Sequence, residues 1–302
     1  MREQTQHLSV AVSVAGLWTS PEAVRPLDAP ALAAPSRLRE WAAAQGPDER
    51  RQLWGRLETQ LLLGEPVTVH ETRDCWARVT APWQPSRKDP RGYPGWVPLA
   101  QLAAPPAPAA DRVVVTEQVA ELRDAPRGTA LADDVSFATV LPSLGRRDGH
   151  VEVGLPGGST GWLADTQVTA YQAGGSLPTA EQLIAAGRLF LGLMYLAGGS
   201  HGLTLDCSGL THLIYRRFGH TLPRDADDQA LVGEHVEVAD LAPGDLPVFQ
   251  NDATGDVYHV GICTGTPQQA LHVSQPDWAC LDGTLTEIRQ RHLVAGRRLR
   301  SR

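Results

Sequence analysis

Apolar and polar positions alternate with period two in two separate stretches of the chain. The first runs from EPVTVHETRDCWARVTAPWQ into GYPGWVPLAQL, the second from VSFATVLPSLGRRDGHVEVGLP into GSTGWLADTQV. Each reads as an alternating strand, a turn, a second strand, and a closing Gly-Trp-apolar strand followed by a small-polar segment. Short strands punctuated by turn signals predict two small antiparallel barrels. Over SRLREWAAAQGPDERRQLWGRLETQL the period changes: Leu38, Trp41, Leu53, Trp54 and Leu57 fall as they would on helices, which predicts a helical insertion in the first barrel.

Further on, TAEQLIAAGRLFLGLMY predicts a helix with Thr179 as N-cap and Leu183, Ile184, Leu189 and Leu191 among its apolar positions. A Gly-rich loop leads to a second helix from about Cys207 to Phe218, with Leu210, Leu213 and Ile214 on one face. Short strands follow near 246–250, 257–263 and 270–274, and Pro247 in PVFQ suits only an edge strand. Helices first and strands afterwards indicate an α+β domain. Pro/Ala/Gly-rich stretches at 103–110 and 172–179 divide the chain into three pieces.

The length of 302 residues suits about two domains, and 42% apolar with 20% charged residues is ordinary for a globular protein. With 27 basic against 34 acidic residues the formal charge is -7, which offers no global field for nucleic acid or an anionic polymer. The N-terminus has an apolar run after Gln6, but a weakly basic start, no small-residue cleavage site and Ser/Val alternation, so it is expected to be mature and cytoplasmic. No stretch approaches the ~20 apolar residues of a membrane span. The four cysteines are scattered without a C-x-x-C pair, which suggests individual thiols.

Chemistry concentrates in the third piece. In TLDCSGLTHLIYRRFG, Asp206 is a plausible N-cap and Ser208 and Gly209 suit a first turn, so the Cys207 thiol is expected at a helix N-terminus, with a lowered pKa and thiolate character at neutral pH. A nucleophile needs a base. In GDVYHVGICTGTPQQALHVSQ, pairing symmetrical about Gly265 and Thr266 sets His259 opposite His272 on one face, the second ring fixing the tautomer and direction of the first. Gly261 marks either a close approach of another segment or a bulge. His201, His212, His220, Cys263 and Cys280 lack such a pattern, and His259, His272 and Cys263 would make a poor tetrahedral zinc site. In LPRDADDQA, Asp225 reads as a helix cap with a solvated Arg224, and RQRHLVAGRRLRSR as a solvated edge strand and tail.

The ordered motifs Y-x-x-GG, DCSGL-x-x-x-x-Y, PRDADDQ, PGDL, HVGI and LHV, over about 178–290, resemble the NlpC-type papain-like cell-wall peptidases. The resemblance implies Cys207 as nucleophile, His259 as base and His272 as orienter. The preceding barrels look like bacterial SH3-like domains, which gives an expected layout of 1–104, 111–172 and 178–302: an α+β papain-like domain behind two all-β barrels, the first with a helical insertion. This arrangement is similar to the γ-D-glutamyl-L-diamino acid endopeptidases, which act on murein-derived peptides with a free N-terminal L-Ala. By that resemblance the substrate would be held by Asp206, Ser208 and Tyr195, and by Glu65 and Tyr93 from the first barrel; Arg224 and Asp225 are further substrate-binding candidates. The family's P-Y-x-W-G-G is here MYLAGG, with Met194 and Ala197 in the Pro and Trp positions. No metal or cofactor is implied, and the oligomeric state is not specified. A non-catalytic peptidoglycan-binding protein and an acyl transferase using the same thiol remain alternatives.

Overall fold

The structure, a computed structural model, describes residues 6–299. The first five residues of the N-terminal segment and the last three of the Arg-rich tail lie outside the described residues. The first sheet comprises β1 (Gln6–Val10), β2 (Val14–Trp18), β3 (Leu57–Leu62), β4 (Pro66–Arg73), β5 (Trp76–Ala81), β6 (Tyr93–Pro98) and β7 (Leu102–Ala103). Its order is β3-β2-β6-β5-β4-β1-β7, antiparallel throughout. Inward alternation places Leu17, Leu61, Val67, Val79 and Val97 in its own core.

Short helices α1 (Ala29–Leu32), α2 (Leu38–Ala43) and α3 (Pro47–Arg51) interrupt this sheet between β2 and β3. The insertion is shorter than its apolar spacing predicts. Leu57 already belongs to β3, and Trp54 is half exposed, because Gly46 and Pro47 break the helix before a continuous apolar stripe can form.

A second seven-stranded sheet follows: β8 (Asp111–Val115), β9 (Val119–Arg123), β10 (Ala130–Ser136), β11 (Val140–Arg147), β12 (His150–Gly154), β13 (Thr160–Ala164) and β14 (Val168–Ala170). Its order, β10-β9-β13-β12-β11-β8-β14, repeats the central topology of the first.

The remaining elements begin with α4 (Ala180–Arg188), capped as expected by Thr179, whose hydroxyl accepts from Gln182 N while the Gln182 side chain returns to Thr179 N. The helix stops earlier than its sequence pattern suggests, and Leu189 and Leu191 are exposed beyond its end. A small hairpin of β15 (Ser200–His201) and β16 (Thr204–Leu205) leads into α5 (Cys207–Arg217). This helix ends where Gly219, at φ 83°, allows a Schellman closure: Gly219 N donates to Arg216 O and His220 N to Tyr215 O. After α6 (Ala226–Gln229) come β17 (Glu234–Val236), β18 (Leu246–Gln250), β19 (Val257–Val260), β20 (Ile262–Cys263), β21 (Gln269–Ser274), β22 (Ala279–Thr284), α7 (Glu287–His292) and β23 (Leu293–Arg298). They form sheets of order β17-β23-β18-β19 and β20-β21-β22, making an α+β fold behind two barrels.

Two strand assignments differ from the sequence pattern. Pro247 lies in β18, an interior strand between β23 and β19. Its carbonyl accepts from Gly261 N, on the side where its own missing N–H would point, and β19 has ended there, so no ladder donor is lost. The Arg-rich segment contributes β23, also interior, with Arg298 paired to Asp245 at 2.7 Å.

The three parts share buried contacts. Arg216, at the C-terminal end of α5, meets Glu65 of the first barrel at 2.6 Å, with both side chains almost fully buried. Arg50 donates to the carbonyls of Met194 and Tyr195 at 3.2 and 3.1 Å, and Gln60 Oε1 accepts from Ser200 N and Thr204 Oγ1. One apolar cluster joins Trp18, Leu57 and Leu62 to Leu196, Leu205, Leu210 and Ile214. From the second barrel, Phe137 stacks edge-on against Phe190 at 5.3 Å and Ser136 Oγ accepts from Gly202 N. Among the described residues no helix is long and apolar enough to cross a membrane.

Candidate active site

Cys207 is the first residue of α5, and Asp206 caps that helix by accepting from Gly209 N at 2.7 Å. The thiol is buried and receives the backbone N–H of Val260, so β19 runs directly past the helix start. The expected thiolate is not the resting form. Burial, reinforced by the neighbouring Asp206 carboxylate, pushes the Cys207 thiol up to about 11 and outweighs the helix terminus.

His259 and His272 meet with Nε2 to Nδ1 at 2.7 Å, both buried. The contact is not the cross-strand pair that a symmetrical hairpin would give. The register of β20 and β21 is Ile262↔Leu271 and Cys263↔Ala270, and His259 pairs with Phe249 in the other sheet. The offset from the symmetrical register is even, which preserves the face. Gly261 closes the remaining gap: a Cβ there would lie 2.9 Å from Leu271 O and 3.0 Å from His272 Cβ. Its function is therefore close approach.

Burial holds both rings neutral. His259 is driven well below the usual histidine value, and His272 falls to about 4, in each case with the Arg289 guanidinium adding to the effect. A neutral His259 whose Nδ1 is to accept a proton must carry its hydrogen on Nε2 and donate it to His272 Nδ1. Tyr195 stands beside the thiol; burial and the charges of Cys207 and Asp206 raise its pKa well above the usual range, so the phenol keeps its proton. Ala197 is buried and Met194 partly exposed in the MYLAGG loop.

Arg224 is buried, not solvated. It donates to both Asp206 carboxylate oxygens at 3.0 and 2.7 Å, to Ser208 Oγ, Thr59 Oγ1 and Gly199 O. Asp206 also accepts from Gly198 N, Gly209 N and Ser208 Oγ. These five donors fill its acceptor sites, so Asp206 and Ser208 brace the turn that carries Cys207 and are not free to receive an ammonium.

The first barrel reaches the site through Tyr93, whose hydroxyl lies 3.0 and 2.8 Å from the Asp225 carboxylate oxygens and 3.1 Å from Glu58 Oε2. Asp225 stands at the N-cap position of α6 but makes no side-chain cap bond, its carboxylate being turned to Tyr93. Burial raises its pKa, against the opposing pull of Arg224. Lys88 Nζ enters the same cage, in contact with Glu58, 2.7 Å from Tyr93 Oη and over the Tyr93 ring at 4.6 Å. Glu65, expected here, lies elsewhere. Its side chain folds back to accept from Leu62 N, Gln84 Nε2 and Arg216 Nη1, and it is fully buried. In LETQLLLGEP the cleft-facing carboxylate is the strand residue Glu58; the turn after Gly64, at φ 78°, directs Glu65 inward.

The remaining candidates are placed elsewhere. His201 Nε2 donates to Asp134 O and His212 Nδ1 to Leu222 O, and burial lowers each to about 3. Cys263 and Cys280 are buried thiols raised by desolvation. Among the described residues the one group spaced for a cation is Asp225, Asp227 and Asp228, and Arg87 already pairs with the last two.

A buried thiol, two neutral imidazoles in file and an adjoining cleft wall are the parts of a cysteine hydrolase. Residues 192–296 match the NlpC/P60 family, residues 115–171 the YKFC SH3b2 domain and residues 53–102 the bacterial dipeptidyl-peptidase Sh3 domain. The chain belongs to the NlpC/P60 family and is a cysteine peptidase. It is 38% identical over 268 residues to the gamma-D-glutamyl-L-lysine dipeptidyl-peptidase of Bacillus cereus, covering 85% of this chain and 80% of the relative. It is 36% identical over 295 residues to the protein of the same name from Bacillus subtilis, covering 96% and 98%. The crystal structure of an NlpC/P60 family protein from Bacillus cereus superposes with a TM-score of 0.90 at 33% identity, covering 97% of this chain and 99% of that one.

Proposed function

We propose that the protein hydrolyses the γ-D-glutamyl-diamino acid bond of murein-derived peptides that begin with a free L-Ala. The observation that carries this reading is the cage of Glu58, Tyr93 and Asp225 on the wall of the Cys207 cleft. Two carboxylates and a phenol oxygen, half-buried, suit an ammonium that has lost its water. The names of the relatives, gamma-D-glutamyl-L-lysine dipeptidyl-peptidases, support the same bond. The proposed division of the chain at 1–104, 111–172 and 178–302 makes the first barrel a specificity wall, and release of small peptides is in keeping with the cytoplasmic location expected from the sequence.

In the proposed chemistry the Cys207 proton passes to His259 Nδ1 as the sulfur attacks the γ-carbonyl, a concerted transfer that suits a neutral thiol and a neutral imidazole. The oxyanion is held by the Cys207 N–H, one of the free donors of the first helical turn, with the Tyr195 phenol beside it. Collapse breaks the C–N bond, and His259 returns the proton to the leaving amine. Water, deprotonated by His259, then releases the dipeptide from the acyl-enzyme. His272 holds the ring of His259 throughout.

Incubating wild type and Cys207→Ala with L-Ala-γ-D-Glu-L-Lys and its N-acetyl form, followed by mass spectrometry, tests the reading. L-Ala-D-Glu released by wild type alone, from the free peptide alone, is the expected result. Equal cleavage of the blocked peptide would remove the amine cage from the account. Products carrying an added amine in place of water would favour acyl transfer, and retention on sacculi without cleavage would favour a binding protein.

A further inference from the structure

Beside His272, a cavity of about 240 Å3 lies between β22 and α7. His272, Asp277, Asp282, Thr284, Thr286 and Arg289 line it. Against a single water's ~30 Å3 share of liquid volume, it has room for a small amino acid.

Arg289 is the unusual member. It is only 5% exposed, and its Nη1 has no hydrogen-bond partner among the described residues. The guanidinium lies over the rings of Tyr258 and Phe249, at 5.0 and 5.7 Å, which supplies cation–π contact but no counter-charge. A buried cation without an anion is costly to keep, and its persistence points to an anion that arrives from outside. Asp282 does not fill that role, since Arg188 and Thr264 already occupy its oxygens at 2.8 and 2.9 Å. Asp277 is held only by the Ser274 hydroxyl among the described residues, at 2.6 Å, and its carboxylate is open to a cation. The cavity therefore presents one uncompensated positive and one available negative group.

Its position completes the argument. His272 has given its Nδ1 to His259, so its Nε2 edge is the one left for the cavity it lines. Trp278, next to Asp277, places its ring 6.1 Å from that of Tyr195, beside the thiol. On the proposed function the acyl half of the peptide takes the Tyr93 cage, so the leaving half needs a site that this cage does not supply. We infer that this cavity is the subsite for the leaving diamino acid, with Arg289 binding its carboxylate and Asp277 its side-chain ammonium. The inference rests on the acyl-half placement proposed above.

The test compares L-Ala-γ-D-Glu-L-Lys with its C-terminal amide, in wild type and Arg289→Gln. Wild type is expected to show a KM about tenfold lower for the acid, and the variant to lose that preference; one charge-assisted hydrogen bond is of this size. Asp277→Asn should likewise lose the preference for lysine over norleucine at the third position. Equal KM values for acid and amide in wild type, or a preference that survives in Arg289→Gln, would overturn the inference. Should Arg289→Gln fail to fold, Arg289→Lys, which keeps the charge without the fork, replaces it and is expected to retain part of the preference. Calorimetry with free L-lysine and L-lysinamide on Cys207→Ala gives an answer that needs no turnover: selective binding of L-lysine supports the site, and no difference overturns it. Because N-acetylation reports on the Tyr93 cage and amidation on Arg289, the two readings can fail separately.

Discussion

Tyr93, on the last long strand of the first barrel, holds its hydroxyl 2.8 Å from the carboxylate of Asp225, which lies at the start of a helix more than a hundred residues later in the chain. The cleft is thus closed by two parts of the chain, and a second carboxylate on the Tyr93 hydroxyl, Glu58, comes from the barrel.

Substituting Glu58→Gln should raise KM for the free-amine peptide by about tenfold to a hundredfold, the weight of one hydrogen bond to a charged group. The N-acetylated peptide should stay uncleaved by wild type and variant alike. Steady-state kinetics on the free peptide checks this, and a KM that stays put would remove Glu58 from the cage.

Glu65→Ala should act on stability. It leaves the Arg216 guanidinium buried without its partner, where two of its nitrogens already lack one and the Trp83 ring lies 4.8 Å away. A loss of about 3–5 kcal/mol is expected, read from denaturant unfolding beside Glu58→Gln, which should lose under about 1 kcal/mol.

Lys88 occupies the cage in the absence of substrate. Its ammonium is partly exposed on a flexible stem, so a substrate amine has to displace it. If the cage stands open only about a tenth to a third of the time, apparent affinity is weakened about threefold to tenfold, and Lys88→Met should lower KM by that factor. A KM that rises instead would mean that Lys88 assists binding.

Stability should fall on acidification, beginning near the ordinary histidine value. His201 and His212 are buried neutral with pKa values of about 3, below the ~6.5 of the unfolded chain, so the unfolded state binds more protons in between. Each contributes stability that is complete above about pH 6.5 and is lost at ~1.4 kcal/mol per pH unit as pH falls toward 3. Thermal unfolding across this range should show a shallower pH slope for His212→Gln than for wild type.

Activity should follow different limits. With His259 held well below its usual value, the acid limb of kcat/KM belongs below the ordinary histidine value of ~6.5, while the alkaline limb should track loss of the substrate's α-ammonium near ~8. An acid limb at or above 6.5 would contradict a desolvated base.

The geometry of the candidate site was largely legible because its signals are local. Asp206 before Cys207 announces a capped helix, and the alternation around His259 and His272 gives them a common face in any register an even number of residues from the symmetrical one. Long-range choices were not legible. Nothing near Pro247 reveals that Gly261 breaks the neighbouring ladder, and nothing in LLLGEP says that Glu65 finds Arg216, 151 residues away. The thiol's protonation was not legible for the same reason: helix-end chemistry is local, but burial by β19 and the charge of Asp206 depend on packing. Arg289 and Lys88 carried no motif at all.

The clamp between Glu65 and Arg216 also sets a length. It ties the barrel that carries the amine cage to the helix that carries the thiol, so the span between them cannot drift. On the proposed function the enzyme works as a gauge that counts residues from the amino end, two before the cut. A peptide still joined to glycan at that end has no terminus to seat, and intact wall is passed over however exposed its bonds are.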